Sequence, residues 1–210
     1  MPTIYDLKPK FQALLRPLCA GLAKAAVTAN QVTLAAFALS LAYGAINLAS
    51  AAAAWALALL PAVLFIRMGM NAIDGMLARE FGQQSKLGAI LNELTDVLSD
   101  AALYLPFAFI PGLSPVLTVA VVLLGVIAEM TGVVAIQIGA SRRYDGPFGK
   151  SDRAFFFGAL GLILAFGVAP GLWSQIALAF VCALGLATIA NRARQALKES
   201  SMKESSNGNA

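Results

Sequence analysis

Asn71, Asp74, Asn92, Asp96 and Asp100 have side chains, at helical spacing, that together could hold a cation and work on a phosphate. Asn71 and Asp74 are three residues apart, and Ala78 follows Asp74 by four, so the three share a helix face. Asn92, Asp96 and Asp100 are successively four apart and share a face of the next helix. A short turn between the helices makes them antiparallel neighbours, and the two faces can meet. The result is a ring of oxygen ligands: two amide carbonyls and two or three carboxylates. Hard divalent cations such as Mg²⁺ or Mn²⁺ suit that set. Gly75 and Ala78 leave room beside the acids for a bulky ligand. The chemistry indicated is phosphoryl or phosphodiester transfer. The competing account is a polar network between two helices with no ligand.

The chain offers few other catalytic groups. It has no histidine, so a general base must be a carboxylate, Lys, Tyr or Cys. The lack of histidine, with only two cysteines, also argues against zinc. Cys19 and Cys182 sit in apolar surroundings and read as small buried hydrophobes.

The elements that carry these residues are apolar. Hydrophobic residues make up 59% of the chain and charged residues 12%, against about 25% charged in soluble domains. Mean hydropathy is +0.76. Several apolar segments exceed ~18 residues, the length of a membrane span. The expected fold is all-α: a polytopic membrane protein with six transmembrane helices after an interfacial amphipathic helix. No alternating ten-residue strands suggest a β-barrel, and no short apolar core near Met1 suggests a cleavable signal peptide.

The amphipathic helix is expected over residues 4–24. Ile4, Leu7, Phe11, Leu14, Leu15, Leu18 and Leu22 line one face, while Asp6, Lys8, Lys10, Gln12, Arg16 and Lys24 lie mostly elsewhere. Its alternative is a helix packed on the protein's own core. Spans are expected at about 32–48, 51–73, 88–110, 116–140, 154–168 and 173–190, with Thr28 or Asn30 capping the first. Residues 1–192 form one membrane domain on this reading, with the six spans inside 28–190. Residues 193–210 form a polar tail, expected to be frayed or disordered.

Charge sets the orientation. The turns near Ser50, Gly112 and Gly171 contain no Lys or Arg, whereas the alternate connections and both ends are basic. The positive-inside rule then puts both termini and the acidic stretch on the cytoplasmic side. The net charge of +4 sits at segment ends, which favours anionic lipid over nucleic acid as the counterpart.

At this spacing the chain resembles the CDP-alcohol phosphatidyltransferase family. The family's pattern is D-x2-D-G-x2-A-R-x8-G-x3-D-x3-D. Here it reads Asn71, Asp74, Gly75, Ala78, Arg79, Gly88, Asn92, Asp96, with six of eight positions identical and both departures Asp to Asn. The likeness is greatest to small bacterial inner-membrane members. It implies transfer of a phosphatidyl group from a CDP-linked lipid such as CDP-diacylglycerol to an alcohol, with release of CMP, as in phospholipid biosynthesis. It implies Mg²⁺ or Mn²⁺ held by Asn71, Asp74, Asn92 and Asp96, with Asp96 also the general base. Asp100, an extra acid, can add a ligand. It implies contact with the CDP-lipid through Thr28, Ala29, Asn30, Gln31, Gly75, Ala78, Arg79, Ser85 and Gly88. Arg142, Arg143, Lys150 and Arg153 match a basic rim that in some members holds a phosphate on the acceptor; the same residues also fit positive-inside bias. A homodimer is implied as well.

Two anions are missing from this pattern, and Arg67 lies four residues before Asn71 on the same face. One expectation is a single divalent ion, with Arg67 supplying part of the lost positive charge. The other is an ion pair of Arg67 with Asp74, Glu129 or Asp100. Glu129 reads as a helix–helix hydrogen-bond partner. The functional alternatives are a non-catalytic relative that binds CDP-lipid and a small transporter. The gathering of acids at one end disfavours the latter.

Overall fold

The computed structural model describes residues 4–207, with side chains placed for residues 11–205. The chain is all-α, and no strand occurs among the described residues. The helices are α1 (Ile4–Lys24), α2 (Ala29–Ala49), α3 (Ala54–Glu80), α4 (Lys86–Tyr104), α5 (Pro115–Val134), α6 (Lys150–Ala165) and α7 (Leu172–Asn207). Short 3-10 turns follow α4 at Leu105–Phe109 and α5 at Ala135–Ile138.

By length and composition, four helical segments among the described residues can cross a membrane: Ala29–Ala49, Ala54–Glu80, Pro115–Ile138 and Leu172–Ser205. The six expected spans also include α4 and α6. α4 carries Lys86, Glu93, Asp96 and Asp100 within 19 residues. α6 has 16 residues, about 24 Å of helix against a hydrocarbon core of ~30 Å. The helical order agrees with the sequence reading; α4 and α6 fall outside the length and composition that the other four meet.

The chain divides into two compact units, Met1–Ile46 with Leu59–Leu103, and Asn47–Ala58 with Tyr104–Ala210. In the first, α1 packs on the start of α2 and the end of α3. Cys19, Ala29, Val32, Ile73, Met76 and Leu77 are buried together, with Leu15 and Leu22 against them. Arg16 pairs with Glu80 at 3.1 Å and ties α1 to the last turn of α3. Leu14 and Leu18 stay exposed. The expected apolar face of α1 is therefore split, one part packed on the protein and one part open. The side chains of Ile4, Asp6, Leu7, Lys8 and Lys10 lie outside the described ones. α2 and α4 approach closely at Gly44, where a Cβ would run into the Ala102 carbonyl oxygen.

In the second unit, Ser114 caps α5 by accepting from Leu117 N–H, and Pro115 opens the helix. Tyr104, Phe107 and Phe156 pack around Phe157, with Tyr104 stacked on it at 4.2 Å. The tail expectation is corrected here. Instead of fraying after residue 192, α7 runs on to Asn207. Its polar residues find partners on the segment that follows α5. Glu199 accepts from Ser141 at 2.7 Å and from Arg143 at 2.8 Å. Ser200 donates to the Ile138 carbonyl, and Lys203 to that of Gly139. Beneath these bonds Ala196 packs with Ala135 and Ala140. Polarity alone suggested disorder because those partners lie some sixty residues away.

Candidate active site

The start of α2 is fixed by a reciprocal cap. Thr28 Oγ1 accepts from Gln31 N–H at 3.2 Å, and Gln31 Oε1 accepts from Thr28 N–H at 2.9 Å. Thr28 is therefore the N-cap. Ala29 N–H donates to Gln83 Oε1 at 2.7 Å, and Gln83 Nε2 donates to the Val27 carbonyl at 3.4 Å. These bonds hold the α3–α4 turn against the start of α2. Ser85 caps α4, accepting from Gly88 N–H at 2.9 Å. Asn30 reaches the same place: a Cβ on Gly88 would lie 2.7 Å from Asn30 Oδ1 and 2.9 Å from Ser85 Oγ. Arg79 folds back over Gly75, where a Cβ would lie 2.9 Å from Nη2. Thr28, Asn30, Gln31, Ser85 and Gly88 are thus brought together, and Gly75 is the gap that Arg79 fills.

The acids lie deeper. Asp74 and Asp100 are buried, and Thr33 Oγ1 lies 2.8 Å from Asp74 Oδ2 in position to donate. Arg67 is 4% exposed. Its Nη1 reaches Asp100 Oδ1 at 3.0 Å, and its Nη2 reaches Asp96 Oδ1 at 3.4 Å and the Asp96 carbonyl at 3.2 Å. Asn71 Nδ2 donates to the same Asp96 oxygen at 3.5 Å. Of the two aspartates paired with Arg67, Asp96 keeps the more open side chain, 24% exposed against 8% for Asp100. Asn92 is exposed. Of the partners open to Arg67, the structure selects Asp100, together with Asp96.

In the second unit Glu129 sits among three guanidinium groups. Arg153 Nη2 and Arg192 Nη2 lie 3.3 and 3.5 Å from Oε1. Arg142 Nη2 and Arg192 Nη1 lie 3.3 Å from Oε2. Arg192 also donates through Nε to the Asp145 carbonyl and through Nη1 to that of Ala128. Arg142 lies over the Tyr144 ring at 4.0 Å. Arg143 turns away, its fork on Asp145 at 2.7 and 2.9 Å. Lys150 opens α6 and is half-buried. Glu129 on α5 is thus a helix–helix hydrogen-bond partner, as expected, and its partners on α6 and α7 form an arginine cluster around it.

The family model for CDP-alcohol phosphatidyltransferase matches residues 26–188, more than three quarters of the chain. The chain belongs to this family. Inner membrane protein YnbA of Escherichia coli K12 is a relative at 49% identity, over 93% of this chain and 96% of that protein. The phosphatidylinositol phosphate synthase of Mycobacterium tuberculosis has the same fold. Its structure with CDP-DAG bound superposes with a TM-score of 0.71 at 18% identity, covering 86% of this chain and 92% of that one. Its complex with manganese and citrate gives the same score and identity, covering 86% and 88%.

As a CDP-alcohol phosphatidyltransferase, the chain departs from the family's acidic pattern at Asn71 and Asn92. Among the described residues, no group of three or more His, Cys, Asp or Glu is arranged to hold a metal ion. Asp100 is drawn onto Arg67, and two ligand positions carry neutral amides. Asp74, Asp96 and the amide oxygens of Asn71 and Asn92 remain. An all-oxygen set of this kind suits hard divalent cations. Thr33, Gln83 and Arg192 were not apparent as site residues from the sequence. Thr33 and Gln83 are neutral, and Arg192 looks like one more basic residue at a span end.

Proposed function

We propose that the chain transfers a phosphatidyl group from a CDP-linked lipid, such as CDP-diacylglycerol, to an alcohol. The hydroxyl oxygen attacks the phosphorus that bears the lipid. The bond from that phosphorus to the bridging oxygen breaks, and CMP leaves with the bridging oxygen and its electron pair. The hydroxyl proton passes to the Asp96 carboxylate. The observation that carries this reading is the accessibility of Asp96 beside the buried Arg67–Asp100 pair. Asp96 keeps a partly exposed carboxylate while in contact with Arg67 and Asn71, whereas Asp100 is buried on Arg67.

Asp74, Asn71, Asn92 and Asp96 would hold a single Mg²⁺ or Mn²⁺, which supplies charge neutralisation on the pyrophosphate when bound. Arg67 holds Asp96 and Asp100 in place and carries part of the charge that a second ion would bring. Thr28, Ala29, Asn30, Gln31, Gly75, Ala78, Arg79, Ser85 and Gly88 bind the CDP-lipid. Arg142, Arg143, Lys150 and Arg153 belong to the acceptor side. The reading includes six spans in an inner membrane, a cytoplasmic site and termini, and a homodimer.

A second reading, a CDP-lipid-binding protein without turnover, is favoured by the two Asn and by the use of Asp100 on Arg67. The test is CMP release from CDP-diacylglycerol by purified protein in detergent, with Mg²⁺ or Mn²⁺, a pool of alcohols and Asp96→Asn as control. Release that disappears in the variant supports the transferase. Binding of CDP-diacylglycerol without release above the variant supports the second reading. Calorimetric titration with Mn²⁺ should give one ion per chain, and Asn71→Asp with Asn92→Asp should add a second. Two tight ions in the unaltered protein would remove the Arg67 proposal.

A further inference from the structure

We propose that Glu129 sets acceptor specificity. Its carboxylate fills the arginine cluster that would otherwise take a phosphate, so the acceptor is an alcohol without one. The inference rests on the reading that these arginines face the acceptor.

A carboxylate accepts at about four lone-pair directions. Glu129 has four guanidinium nitrogens around it, two at each oxygen, at 3.3 to 3.5 Å. Its side chain is 10% exposed, and those of Arg153 and Arg192 are 3% and 2%. The arrangement is also built in from α5. Gly125 lies one turn before Glu129, and a Cβ there would come within 3.0 Å of Arg153 Cδ and Nε. The missing side chain lets Arg153 lie flat on α5 and reach Glu129.

Three guanidinium groups around one carboxylate leave two positive charges, and several of their remaining donors are already used. Arg192 gives further donors to the Ala128 and Asp145 carbonyls. Arg142 gives one to the Arg143 carbonyl and lies on Tyr144. Arg143, next in sequence, is taken by Asp145 and Glu199. A phosphate entering here would stand beside a buried carboxylate of like charge, and would have to draw a guanidinium off it. Stripping one partner from a buried pair is strongly unfavourable. A neutral polyol hydroxyl can accept from a guanidinium edge without either penalty.

The test has two arms on the full chain in detergent. The first follows melting temperature against inorganic phosphate, with chloride at matched ionic strength. The unaltered protein should show no phosphate-specific rise, and Glu129→Gln should show one. The second follows CMP release with paired acceptors, glycerol against glycerol 3-phosphate and inositol against inositol 1-phosphate. The unaltered protein should prefer the plain alcohol by about tenfold or more, and Glu129→Gln should move toward the phosphorylated one. A phosphate-specific rise, or a preference for the phosphorylated acceptor, in the unaltered protein would overturn the proposal whether or not the variant folds. No CMP with any acceptor would overturn the acceptor assignment and the transferase reading together. The phosphate arm would still decide whether Glu129 occupies the cluster.

Discussion

Arg67 on α3 donates to Asp100 on α4 across 3.0 Å, and both side chains are under one tenth exposed. The pair joins two helices beside the partly exposed Asp96, which Arg67 also contacts. Removing one partner leaves a buried, uncompensated charge. Arg67→Ala should therefore cost roughly 3–5 kcal/mol of stability. Adding Asp100→Asn to that variant should recover part of the loss. A denaturant titration in detergent, run as a double-mutant cycle, measures the coupling. Additive losses would show that the two side chains do not stabilise each other.

The contact at Gly44 predicts a packing effect. A Cβ there meets backbone, the Ala102 carbonyl, rather than a side chain that can swing aside. Gly44→Ala should destabilise the protein by about 1–3 kcal/mol, as overpacking does. Gly21→Ala, with nothing within 4 Å of the new Cβ, is the control. Equal melting temperatures for the two variants would contradict the close approach of α2 and α4.

The cap at Thr28 predicts a smaller loss. Thr28→Ala removes the acceptor for Gln31 N–H and should cost about 1 kcal/mol. Thr28→Ser keeps a hydroxyl and should retain most of it. Amide exchange at Gln31 reads the effect locally, with faster exchange expected in the alanine variant alone.

Much of this was visible in the sequence, because much of it is local. The spacing of Asn71, Asp74, Asn92 and Asp96 placed them on helix faces, and Thr28 or Asn30 marked a capped helix start, of which the structure takes Thr28 with Gln31. Arg67 was linked to the acids by its four-residue step to Asn71, while the choice of Asp100 and the added contact with Asp96 needed the structure. What escaped depends on residues far apart in the chain. Gln83 reaches back to Val27 and Ala29, Gly44 finds Ala102, and Arg192 finds Glu129. None of these pairs leaves a periodic trace. Helix α7 escaped for the same reason, since hydropathy registers Glu199 and Lys203 as polar but not as bonded.

Cys19 gives a chemical prediction. Its side chain is fully buried, and burial pushes the thiol above its ordinary range. The thiolate is the reactive form, so Cys19 should resist maleimide at neutral pH in the folded protein. It should react once the chain is denatured. Mass spectrometry after brief labelling distinguishes the two, and rapid modification of Cys19 without denaturant would contradict its place in the core.

Helix α7 has 36 residues, about 54 Å of continuous rod against an apolar layer of ~30 Å. Its far end grips residues 138–143 through Glu199, Ser200 and Lys203. A rod clamped in that way behaves as a lever. Displacement of the segment after α5 should therefore be felt at the end of α7 through these bonds. A chain cut before Glu199 would release the strap on Ser141 and Arg143 while leaving the apolar part of the rod intact. A spin label on α7 beyond Lys203 would in turn report the state of a loop it does not belong to.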